Sequence, residues 1–163
     1  MSATAAAAAF AMDAATIEAA SAKHPKQATF RPSYGTAGFR CEASLLDSTV
    51  FRCGLLIAAR ALATGAACGV MITASHNVDS DNGVKLVDPS GEMLEPAWED
   101  LATRLAQAAT DSEVASELSA ILAAHPPAPE AAAAPAAAPG AKGGPRVIVG
   151  RDTRDSGPRL TAA

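Results

Sequence analysis

Gly69-Val70-Met71-Ile72-Thr73-Ala74-Ser75-His76-Asn77 decides how the rest of the 163-residue chain is read. Val70-Met71-Ile72 is a short apolar run between Gly69 and a polar loop, a pattern that predicts a buried strand. The loop then sets a serine beside a histidine, and in α/β sheets ligands gather where strands end. A serine hydroxyl there can carry an acyl or a phosphoryl group. The common acyl-transfer elbow needs small residues, normally glycine, two before and two after the serine. Those positions are Thr73 and Asn77, and Asn77 would crowd the turn, so acyl transfer is disfavoured. For a Ser-His pair taken by itself, an ordinary polar loop is the plain alternative.

Moving outward, Asn82-Gly83 is a strong turn signal. Val84-Lys85-Leu86-Val87 follows as a short strand, closed by Asp88-Pro89-Ser90-Gly91. Alternation puts Val84 and Leu86 on one face and Lys85 on the other. A lysine beside a phosphoryl-carrying serine balances charge or shuttles a proton; the alternative is a solvated edge lysine. Upstream lies Tyr34-Gly35-Thr36-Ala37-Gly38-Phe39-Arg40. Its two glycines allow close backbone approach to an anion, and Arg40 offers a bidentate fork; the alternative is a simple turn. Far downstream, Gly150-Arg151-Asp152-Thr153-Arg154 sets two arginines around an aspartate. That arrangement reads as structural bracing ahead of direct catalysis.

The remaining pattern alternates helices with short strands. Part of Ala11–Ala22 is predicted helical. A helix capped by Asp47 or Ser48 carries Val50, Gly54, Ile57, Ala58, Ala61 and Leu62 on one face and stops at Gly65. A second starts near Pro96, with Trp98, Leu101, Ala102 and Leu105 inward. A third starts at Asp111, with Val114, Leu118, Ile121 and Leu122 inward. Val147-Ile148-Val149 reads as a buried strand, and Pro158 should open a helix of which one turn precedes Ala163. Ala123–Gly144 is a Pro/Ala/Gly tract that cannot bury enough apolar surface to offset chain entropy. The expected organisation is an alanine-rich segment over 1–26 and an α/β domain over 27–163, interrupted by a disordered insertion at 123–144. The chain reads as interrupted rather than finished.

Composition narrows the function classes. The hydrophobic fraction of 49% is swollen by alanine, and aromatics are only 4%. Net charge is −4 with no Lys/Arg cluster, so no nucleic-acid partner is expected. Cys41, Cys53 and Cys68 show no metal-ligand spacing, and an odd count argues against a disulfide framework and for a reducing compartment. His24, His76 and His125 are dispersed. No apolar run has membrane-spanning length. The start lacks both the basic n-region of a secretory signal and the arginines of a transit peptide, so a cytoplasmic location is expected.

Taken together, the loops resemble those of the α-D-phosphohexomutases. Thr73-Ala74-Ser75-His76-Asn77 is similar to that family's phosphoserine loop, and Tyr34–Arg40 to its N-terminal glycine–arginine loop. The similarity is closer to the acetylglucosamine branch. Asp81-Asn82-Gly83-Val84-Lys85-Leu86-Val87-Asp88-Pro89 and Gly91-Glu92-Met93-Leu94 resemble that branch's continuation after the serine. There, too, the glycine–arginine–aspartate loop follows the serine, as Gly150–Arg154 does here. Two departures are Val78 and Asp155, where the family usually has proline.

The resemblance implies a mixed β-sheet flanked by helices, the truncated first domain of the phosphohexomutase fold. It implies Ser75 as phosphoryl carrier, Arg40 and Lys85 as charge-balancing groups with Lys85 the proton shuttle, and His76 as an aid to the serine. It implies Mg²⁺ held partly through a Ser75 phosphate, the other metal ligands being absent from this sequence. Implied partners are N-acetylglucosamine phosphates and a sugar bisphosphate intermediate, with no nucleic acid and no membrane. The implied reaction interconverts the 6- and 1-phosphates of N-acetylglucosamine on the route to UDP-N-acetylglucosamine, and this chain alone is expected to be inactive. The competing readings are a phosphoglucomutase or phosphomannomutase, and a truncated, non-catalytic mutase-like module. Preference between acetylated and unacetylated sugars separates the first. The genomic sequence downstream of Ala163 bears on the second.

Overall fold

The structure is a computed structural model, and it describes residues 13–129, 131 and 144–163. Elements run α1 (Ala14–Ser21), β1 (Phe39–Glu42), α2 (Asp47–Thr64), β2 (Ala67–Ile72), β3 (Asp81–Val87), α3 (Pro96–Gln107), α4 (Asp111–Ala124), β4 (Arg146–Arg151) and α5 (Gly157–Ala162). The four strands form one mixed sheet in the order β1-β3-β2-β4. β3 is antiparallel to both β1 and β2, while β4 lies parallel to β2 with Ile72 opposite Arg151. The expected α/β architecture is present.

Alternation sorts the sheet residues into two faces. Phe39, Val70, Ile72, Val84 and Leu86 are buried on the side covered by α2 and α5. α3 and α4 pack in turn on α2, and α1 on α4. Each fully buried Leu, Ile or Phe on this side contributes about 1.5–3 kcal/mol of transfer free energy. The opposite face carries Arg40, Lys85, Met71 and Ile148, and there Met71 is 47% and Ile148 59% exposed.

Helix boundaries follow local chemistry with one exception. Asp13 caps α1, Thr110 caps α4, and Pro96 opens α3. Gly65 ends α2 in the left-handed region at φ 66°. The exception is the start of α2, where neither Asp47 nor Ser48 caps the helix: Leu46 holds that position without a side-chain bond. Asp47 instead pairs with Arg159, whose other arm donates to Ala43 O at 2.8 Å. Those contacts and the buried Leu160 hold α5, a helix too short to persist by itself. Arg52 is also buried and donates to the carbonyls of Ala106 and Ala108, quenching the C-terminal end of α3.

Four further sequence readings are corrected. Asn82-Gly83 is no turn: both lie inside β3, with Asn82 buried and its amide donating to Ser156 Oγ at 2.8 Å. Val147-Ile148-Val149 is a strand but an exposed one, because β4 lies at the sheet edge and α5 is only six residues long. The inward face of α2 is broader than a single stripe: Arg52, Cys53, Leu56 and Ala59 are buried while Ala58 is exposed. α4 runs through Ala124, so the tract expected to be disordered begins with two helical residues; residues 130 and 132–143 of it lie outside the described residues. Among the described residues no helix is long and apolar enough to cross a membrane.

The exposed apolar edge strand is a template for association between copies. Ile148→Lys should lower concentration-dependent light scattering while leaving the melting curve within about 0.5 kcal/mol of the parent. Scattering that does not change would show that association uses another surface.

Candidate functional site

Two parallel strands, β2 and β4, end side by side, so the loops leaving them meet. Asp152 N–H continues the ladder one step by donating to Ile72 O at 3.1 Å, and Thr73 N–H donates to Gly83 O at 3.0 Å. From that collar the 73–80 loop emerges with Ser75 and His76 exposed at its tip. Neither side chain makes a hydrogen bond or ion pair among the described residues.

The downstream loop braces the serine loop, the role its composition suggested. Thr73 Oγ1 donates to Asp152 Oδ2 at 2.9 Å, and Arg154 Nε donates to the same oxygen at 3.3 Å. The Arg154 guanidinium then reaches under the serine loop to carbonyls of Ala74, Asn77, Val78 and Asp81. Asn77 closes the loop by donating to Asp81 Oδ2 at 2.9 Å. Burial raises the pKa of Asp152, but the Arg154 N–H, the Thr73 hydroxyl and the Arg154 charge outweigh it and leave the carboxyl below its ordinary value.

Arg40 and Lys85 share the open face of the sheet. Arg40 stands opposite Gly83 in the β1–β3 ladder, two residues before Lys85, and such diagonal neighbours lie about 7–8 Å apart. Two glycines make room for the stems of these cations. A Cβ on Gly83 would meet Phe39 O at 2.7 Å, Arg40 Cγ at 2.8 Å and Thr73 O at 2.9 Å. Gly38, at φ +79°, would set a Cβ 2.2 Å from Val84 O and 3.0 Å from Lys85 Cγ. Arg40 is exposed and Lys85 half-buried, and neither head group is paired among the described residues. The structure thus seats both cations near the base of the serine loop.

The Tyr34–Arg40 segment is tighter than an anion cradle requires. Gly38 N–H donates to Gly35 O at 2.8 Å and Gly35 N–H to Gly38 O at 3.3 Å, so both amides are spent within the turn. Tyr34 pins the turn to the sheet: its hydroxyl accepts from Leu86 N–H at 2.9 Å and its ring meets Phe39 edge-on. Burial pushes the Tyr34 phenol up to about 12, so it stays neutral. Among the described residues no three His, Cys, Asp or Glu side chains come together to hold a metal ion. Sequence reasoning missed the bond from Thr73 to Asp152 and those from Arg154 to the serine loop, since nothing local to Ser75 signals partners so far along the chain.

Residues 35–113 match the family model described as phosphoglucomutase/phosphomannomutase, alpha/beta/alpha domain I. Among curated proteins, the chain is 45% identical over 150 residues to phosphoacetylglucosamine mutase of Sus scrofa, covering 92% of this chain and 25% of that protein. It is 45% identical over 132 residues to the Arabidopsis thaliana enzyme of the same name, covering 80% of this chain and 22% of that one. Among solved structures, a serine-to-alanine variant of the Aspergillus fumigatus N-acetylphosphoglucosamine mutase, in complex with glucose 1,6-bisphosphate, superposes with a TM-score of 0.78 at 39% identity over 91% of this chain and 25% of that one. The same enzyme in complex with GlcNAc-6P and magnesium gives 0.74 at 40% identity over 93% of this chain and 26% of that one. The chain spans about a quarter of the length of these relatives.

Two outcomes test the site. Gly83→Ala should destabilise the protein by about 1–3 kcal/mol, because the new methyl meets backbone on two sides; a melt unchanged from the parent would contradict the crowding. Asp152, with its lowered pKa, favours the folded state above the ordinary aspartate value of 3.8, a contribution lost as pH falls through the lowered value. Unfolding free energies measured across that acid range should fall more with decreasing pH for the parent than for Asp152→Asn.

Proposed function

Because this chain carries domain I of the phosphohexomutase fold and is homologous to the phosphoacetylglucosamine mutases over about a quarter of their length, we propose that Ser75 is the phosphoryl carrier of an N-acetylglucosamine-phosphate mutase. The observation that carries the reading is an exposed serine on the loop leaving β2, with two cations, Arg40 and Lys85, unpaired among the described residues and seated by glycines near the base of that loop.

Phosphoryl transfer depends on positioning and charge neutralisation. In the whole protein, the bond from phosphorus to Ser75 Oγ breaks as one forms to the free hydroxyl of N-acetylglucosamine 6-phosphate. The hydroxyl proton passes through Lys85 to the serine. The resulting bisphosphate reorients, and Ser75 takes back the other phosphoryl group, leaving the 1-phosphate, a precursor of UDP-N-acetylglucosamine. Arg40 and Lys85 would offset charge on the moving group, and His76 would assist the serine. A solved relative is in complex with magnesium; among this chain's described residues no three His, Cys, Asp or Glu side chains come together to hold such an ion, and a Ser75 phosphate would supply it one oxygen. Turnover therefore needs residues beyond those described here, and Met1–Ala163 alone should be inactive. The relatives' names favour acetylated substrates over those of phosphoglucomutases and phosphomannomutases.

The whole protein containing this chain should turn over N-acetylglucosamine 6-phosphate, given Mg²⁺ and a sugar bisphosphate primer, and prefer it to glucose phosphates. Ser75→Ala should lower that turnover by at least about 10³-fold. Near-parental activity in that variant, or a preference for glucose 1-phosphate, would overturn the reading.

A further inference from the structure

An arginine in a loop beside a phosphoryl-carrying serine invites assignment as a phosphate ligand. The donor count for Arg154 excludes that. A guanidinium has five N–H donors in a fixed plane. In Arg154, Nε donates to Asp152 Oδ2 at 3.3 Å. Nη1 donates to Val78 O at 2.7 Å and Asp81 O at 3.1 Å. Nη2 donates to Ala74 O at 2.5 Å and Asn77 O at 3.0 Å. All five donors are committed inside the protein, and the side chain is only 11% exposed.

The acceptors are not scattered. Ala74, Asn77, Val78 and Asp81 bracket Ser75 and His76 on both sides, so one planar group fixes both limbs of a single loop. Thr73, at the base of that loop, holds the carboxylate that orients the same guanidinium. We propose that Arg154 is the positioning residue for Ser75: it shapes the serine loop before any substrate arrives and leaves the phosphoryl group to other cations. The role rests on the phosphoserine reading, but the loop geometry it asserts does not. Carbonyl oxygens engaged by the guanidinium are also not free to repel an incoming phosphoryl oxygen. Arg40 is the complementary case, exposed and with its donors free among the described residues. Lysine cannot replace Arg154, since a compact ammonium has three donors and no planar fork.

The test uses the 163-residue chain in parent, Arg154→Lys, Arg154→Gln, Thr73→Val and Ser75→Ala forms. Amide exchange is followed at Asn77 and Asp81, whose N–H groups close turns within the loop, and at Val84 and Leu86 in β3. The Cα and Cβ chemical shifts of Ser75 report its backbone conformation. Both Arg154 variants should speed exchange at Asn77 and Asp81 at least about tenfold relative to Val84 and Leu86, with the Ser75 shifts moving toward random-coil values. Thr73→Val should do the same to a smaller degree, and it carries the comparison if an Arg154 variant does not fold. Ser75→Ala should leave loop protection within about twofold of the parent. The proposal is overturned if loop and strand amides accelerate together, if neither changes, or if lysine restores the parent pattern. Full turnover by a Ser75→Ala variant of the whole protein containing this chain would sink the phosphoserine reading and leave this result standing.

Discussion

The parallel pairing of β4 with β2 is the constraint on which the rest depends. Ile72 stands opposite Arg151, so a loop near residue 75 and another near residue 152 leave the sheet at the same edge, although they are far apart in sequence. Antiparallel neighbours would have sent the two loops to opposite ends. With the loops adjacent, one carboxylate and one guanidinium can tie them together, and the buried amide of Asn82 reaches Ser156 to fix the start of α5. The open sheet face then presents Arg40 and Lys85 beside that corner. Crowding at Gly83 sets how closely β1, β3 and the base of the serine loop approach one another.

Elements whose signal is local were legible in the sequence. Pro96 and Asp111 mark helix starts, Gly65 marks a stop, and alternation alone placed Val84 and Leu86 inward with Lys85 outward. Readings failed where a residue answers to a distant partner. Asn82-Gly83 has the composition of a turn, but Asn82 is satisfied by Ser156 and Gly83 is required by the backbone of Phe39 and Thr73. Asp47 has the composition of a cap but pairs with Arg159. Val147-Ile148-Val149 has the composition of a buried strand, yet burial depends on what covers it, which no strand encodes.

The same division holds at the site. Ser75, Arg40 and Lys85 could be nominated by type and spacing, and the fold seats the two cations near the foot of the serine loop. The bracing character of Gly150–Arg154 was readable from alternating charge, but its target was not. Nor did the sequence reveal that Gly35 and Gly38 spend their amides on each other. Glycines next to a charged site have two uses, binding anions and permitting close packing, and only the hydrogen-bond accounting tells them apart.

The two ends of β2 do different work. Ala128 N–H donates to Leu62 O and Arg146 N–H to Ala66 O, so the chain departs from and returns to one small patch where α2 gives way to β2. The serine loop begins at the other end of that six-residue strand, about 20 Å away at the usual rise per residue. Ala128 and Arg146 are therefore tied to the fold at the end of β2 that lies away from Ser75, so a change of sequence between them enters the molecule one strand length from the serine loop.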